Sequence, residues 1–110
     1  MVYPGRMADT SHAPSTSVLK ERLEAAFPSL LEELTQLVAI PSVSSDPAHA
    51  ADVERSAEHI RERFAALGLE AKVLRESAED GTEGKPALVA HTPHIEGAPT
   101  VLLYAHHDVQ

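Results

Sequence analysis

Between Val18 and Val38 apolar side chains return every third or fourth position: Leu19, Leu23, Ala26, Phe27, Leu30, Leu31, Leu34, Leu37 and Val38. Lys20, Glu21, Arg22, Glu24, Glu32, Glu33 and Gln36 fill the other face. That period predicts an amphipathic helix. Ser17 is its expected N-cap. Pro28 has no amide proton and crowds the preceding turn, so a kink or a restart is expected there. Ile40-Pro41 should end the helix, because a residue before proline is pushed out of helical geometry. A second stripe, Val53, Ala57, Ile60, Phe64 and Leu67, predicts a helix from Ala48 or Ala50 to Leu67, with Asp46-Pro47 as its start signal and Gly68 as its terminator.

Beyond Gly68 the period shortens to two. Leu69, Ala71 and Val73 alternate with Glu70 and Lys72, the pattern of a strand with one wet face. Arg75 to Pro86 is a loop, Ala87 to Ala90 a second strand, and a turn with Pro93, Gly97 and Pro99 leads to Val101-Leu102-Leu103-Tyr104. That unbroken apolar run predicts a strand buried on both faces. It is expected to pair antiparallel with Ala87–Ala90 through the short connection. The fold class is therefore α/β: two N-terminal helices and the first strands of a helix-covered mixed sheet.

Residues 1 to 17 lack apolar periodicity and are expected to form a disordered tail. They contain no signal-peptide core, no run is long enough to cross a membrane, and cytoplasmic residence follows by default. Met7 is an alternative to Met1 as the start. The net charge of -8, with nine Lys and Arg scattered among seventeen Asp and Glu, argues against nucleic acid as a partner. Because the chain has no Cys, it has neither disulfides nor thiolate ligands, and any metal must be held by imidazole and carboxylate. Of its seven His, His12, His49 and His59 read as solvated surface. His91 and His94 read as a surface turn, because Pro93 between them breaks the helical geometry a ligand pair would need.

The apolar run ends at His106, His107 and Asp108. A strand end is where open α/β sheets bind ligands. Neutral imidazole binds zinc through one ring nitrogen, and the other needs an acceptor that fixes its tautomer, which a carboxylate two residues on could supply; on spacing alone the triplet is more often just the polar start of a loop. The string YAHHDVQ resembles the YGHYDVQP segment of co-catalytic di-zinc metallopeptidases, a family that includes dipeptidases, carnosinases, aminoacylases and succinyl-diaminopimelate desuccinylases. A second segment, IPSVSSD from Ile40 to Asp46, resembles the Ile-Pro-Ser-Val-Ser that follows the first helix in the same family. The Val109-Gln110 ending is closest to the dipeptidase branch.

The resemblance implies an incomplete zinc-peptidase catalytic domain over residues 18–110, cut after the first metal-ligand motif. It makes His106 a zinc ligand and Asp108 the catalytic-site carboxylate that orients it, and leaves His107 at a variable position. The full-length enzyme would hold two zinc ions, with cobalt or manganese as alternatives, about 3.5–4 Å apart. It would cleave the amide bond of a dipeptide or an N-acylated amino acid, and it belongs to a group with homodimers. The remaining ligands and the glutamate base lie outside these residues, so the 110-residue chain is expected to be inactive and to leave apolar faces uncovered. The alternative reading is a small non-catalytic α/β interaction module. A serine hydrolase using His107 lacks a Gly-x-Ser-x-Gly elbow, and none of Ser42, Ser44 and Ser45 is expected to be a nucleophile.

Overall fold

The computed structural model describes residues 13–110; His12, the Met7 start and most of the expected N-terminal tail lie outside them. The elements are α1 (Thr16–Val38), a 3₁₀ turn (Pro47–His49), α2 (Ala50–Ala66), β1 (Glu70–Leu74) and β2 (Ala87–His91). Among the described residues, no helix is long and apolar enough to cross a membrane.

α1 begins two residues earlier than the spacing predicts. Ser15, not Ser17, is the N-cap, its Oγ accepting from the amide of Val18 at 3.4 Å. Residues 15–17, assigned to a disordered tail on sequence, thus form the start of a helix. Nor does Pro28 divide the run, which is one helix with proline inside. The proline deprives the carbonyl of Glu24 of its amide partner. Glu24 is exposed, so water can replace the missing donor. No residue of α1 is buried, and Leu23, Phe27, Leu34 and Val38 are each more than half exposed. Its tie to α2 is the pair between Glu33 and Arg63. The Cα radius of gyration, 17.2 Å, accordingly exceeds the ~13 Å of a packed 100-residue domain.

α2 organises the rest. Asp46 Oδ1 accepts from the amide of Ala48 at 2.9 Å and Pro47 takes the first position, as the start signal requires. At the other end Gly68 takes φ 78°, a left-handed turn that a side chain would strain. Val53 and Ala57 are buried at the centre of the stripe, with Ser56 fully buried beside them. The β1–β2 hairpin packs on this helix. It is antiparallel, in the register Ala71↔Ala90 and Val73↔Leu88, which puts the four half-buried residues on one face and Glu70, Lys72 and Leu74 on the other. Between the strands, Gly84 passes so close to Glu76 that a Cβ would sit 2.9 Å from its carbonyl oxygen.

Two expectations about the sheet fail together. β2 pairs with β1, and Val101–Tyr104 forms no strand; these four residues are 76–90% exposed. A strand buried on both faces needs two covering layers. Here α2 covers one face of one hairpin, so an all-apolar segment has no interior to enter. The sheet is two-stranded and antiparallel rather than mixed.

Candidate metal-ligand site

The two segments that carry the family resemblance are separated by about sixty residues in sequence and meet in space. The chain from Ala105 to Gln110 lies as an extended strap across the Pro41–Ser45 turn and the buried side of α2. Val109 makes a parallel bridge to Val43, and its amide donates to the carbonyl of Ser42 at 3.1 Å. Short-range turns shape the receiving loop: Ser42 N–H reaches Ile40 O at 2.7 Å and Val43 N–H reaches Pro41 O at 2.9 Å. His106 therefore leaves from a docked strap, not from the end of a strand.

His107 is the strap's anchor. Its Nε2 lies 3.2 Å from the carbonyl of Pro86, which can only accept, so Nε2 carries the ring proton. In the neutral ring Nδ1 is then an acceptor, facing Ser56 Oγ at 2.9 Å. The same hydroxyl is 3.0 Å from the His107 carbonyl, which Ser42 Oγ approaches at 3.4 Å. Ser42 and Ser56 are fully buried and both are satisfied by these contacts. Sequence reading left His107 as a variable position and missed Ser56. One signal was available: Ser56 sits on the apolar stripe of α2, three residues after Val53, where a hydroxyl must find a partner.

His106 is arranged in the opposite way. Its Nδ1 lies 3.0 Å from Asp108 Oδ1 and 3.0 Å from the Asp108 carbonyl. Both are acceptors, so the neutral ring carries its proton on Nδ1 and bears its lone pair on Nε2. The side chain is 74% exposed, and Nε2 has no hydrogen-bond partner among the described residues. The second carboxylate oxygen, Asp108 Oδ2, accepts from Ser44 Oγ. That bond, more than the one from His106, holds the Asp108 carboxyl below the usual aspartate range, against the opposing pull of partial burial.

A protonated Nδ1 held by a carboxylate, with a free Nε2 turned to solvent, is the arrangement a ligating histidine uses. As a donor set it supplies one nitrogen. Catalytic zinc takes about three protein ligands, and among the described residues no group of three or more His, Asp or Glu is placed to hold an ion. His91, read from sequence as part of a surface turn, is the last residue of β2, 3.7 Å from Glu70, and His94 is exposed in the segment that follows. His49 departs from the solvated reading: it is half-buried, with Nδ1 2.8 Å from Asp52, which also pairs with Arg55 at 2.9 Å. No protein-family model matches the chain, and no curated protein or solved structure matches it significantly.

Proposed function

We propose that these residues contribute the first metal ligand of a metal-dependent hydrolase that cleaves the amide bond of dipeptides or N-acylated amino acids, a zinc metallopeptidase of dipeptidase type. In this reading His106 binds the metal through Nε2 and Asp108 holds the ring. The single observation that carries it is the His106–Asp108 pair, Nδ1 to Oδ1 at 3.0 Å with Nε2 free on a 74% exposed ring. A bound divalent cation would bring the pKa of its water down toward ~7 and polarise the scissile carbonyl. Asp108 is not the base: its carboxylate is committed to His106 and Ser44, and its lowered pKa makes it a poor proton acceptor. Further donors and the base would come from outside these 110 residues, because one imidazole cannot hold zinc against water.

A non-catalytic reading is favoured by one specific fact: His107, Asp108 Oδ2 and the Val109 amide bond to Ser42, Ser44, Ser56 and Pro86, and so clasp the strap to residues 41–45, α2 and the start of β2. The decisive comparison is His106→Ala against the parent in the longest natural protein that contains this sequence, scored for bound metal and for turnover of a dipeptide panel. Loss of both supports the hydrolase. Unchanged metal content and turnover would remove His106 from any site and leave the clasp as the role of the strap.

A further inference from the structure

Ser44 stands two residues beyond the buried Ser42, in the turn that receives the strap, and is half-buried. Its hydroxyl does not touch His106. It donates to Oδ2 of Asp108, while Oδ1 of the same carboxylate faces Nδ1 of His106. A carboxylate free to turn about its last bond would present either oxygen, or neither, to the ring. With Oδ2 tied to Ser44 only Oδ1 remains for the imidazole, and the line from Ser44 through Asp108 to His106 has one arrangement. The backbone on either side is fixed by other contacts: Ser42 and Ser56 on the His107 carbonyl, and the Val109 amide on Ser42. Ser44 is thus left with the carboxylate alone.

We propose that Ser44 is a positioning residue: by holding the Asp108 carboxylate it fixes the Nδ1–H tautomer of His106 and keeps the Nε2 lone pair turned outward for a divalent cation. The proposal rests on the reading of His106 as a metal ligand for its purpose, but not for its test. In water a free imidazole exchanges its proton between the two nitrogens, and a ligand histidine must hold it on the nitrogen away from the metal.

The test is the His106 tautomer in the metal-free 110-residue chain, read from ring ¹⁵N shifts and two-bond ¹H–¹⁵N couplings near pH 9, where imidazole is neutral. The parent should show the Nδ1–H form. Ser44→Ala should raise the Nε2–H population about three- to tenfold, the factor set by one modest hydrogen bond. The change should be partial, because the Asp108 carbonyl still accepts from Nδ1. Ser44→Thr, which keeps the hydroxyl, should restore the parental couplings, and the His107 signals should not move in either variant. A purely structural role for Ser44 would disturb His107 and Val109 as well.

A parental chain whose His106 is mainly Nε2–H overturns the proposal without any variant, so a Ser44→Ala chain that fails to fold does not protect it. An Ala variant with parental couplings overturns it equally. If the tautomer responds as expected while His106→Ala leaves metal content of the longer protein unchanged, the hydrolase reading falls and the positioning stands. The reverse pair of results would leave the ligand and discard Ser44.

Discussion

Removing the Ser56 hydroxyl takes away the donor that two strap atoms share. In Ser56→Ala, His107 Nδ1 loses its 2.9 Å partner, and the His107 carbonyl loses a 3.0 Å contact but keeps Ser42 Oγ at 3.4 Å. Ser56 is fully buried while His107 is half-buried, so water reaches the abandoned nitrogen only in part. One stranded, partly wetted acceptor costs about 1–2 kcal/mol, which is roughly a 5–30-fold change in a local opening equilibrium. Alanine is the better helix former, so α2 itself does not suffer. The reporter is the amide of Val109, which lies in the strap and is bonded to Ser42 O at 3.1 Å. Its hydrogen exchange should accelerate by about 5–30-fold while the amides at the centre of α2 keep their protection. Exchange at Val109 unchanged in a folded Ser56→Ala chain would refute the clasp. Protection lost throughout α2 would mean that the strap and the helix open together, contrary to the reasoning.

Three further outcomes follow from the same contacts. The Asp108 carboxyl is depressed chiefly by Ser44, so its contribution to holding the strap is present above the ordinary aspartate value of about 3.9 and is lost as pH falls through the lowered folded value; a carboxyl ¹³C titration of Asp108 at or above the ordinary value would contradict it, and Ser44→Ala should move the midpoint up. The bare stripe of α1 should drive association as concentration rises, and Leu23→Glu with Phe27→Glu, at two sites each 58% exposed, should return the chain to monomer with its helix content intact; a parent that sediments as a monomer at every concentration would count against this. Gly68→Ala should cost about 1–2 kcal/mol, because φ is 78° there, and it should show as a lowered denaturation midpoint; an unchanged midpoint would mean that the α2–β1 corner relaxes freely.

The helices were legible because their period is long and regular: the stripe Val53, Ala57, Ile60, Phe64 marks the face of α2 that packs, and Gly68 marks its end. β1 and β2 were legible from alternation and short apolar runs. Pairing was not. Val101–Tyr104 has the stronger strand composition, yet composition does not say whether covering layers exist, and β2 joined the segment whose alternation matched the single face α2 offers. Proline gave a similar lesson: Pro28 lies inside α1, where the Glu24 carbonyl that it leaves without a donor is open to water. At the site, the contact of His106 with Asp108 was expected from the His-x-Asp triplet together with the resemblance of YAHHDVQ to the metallopeptidase segment, whereas the clasp of Ser42, Ser44, Ser56 and His107 depends on contacts over fifty to sixty-five positions that no local pattern encodes.

The claim that carries most weight is that His106 offers Nε2, and only Nε2, to a cation. Zinc titrated into the 110-residue chain and followed by ¹⁵N resonances of all seven imidazoles tests it directly. The account predicts weak binding that moves Nε2 of His106 first and leaves both nitrogens of His107 in place. A sub-micromolar site would contradict the view that the donor set is incomplete, and zinc that prefers Nδ1 of His106, or passes it over for another histidine, would contradict the assignment itself.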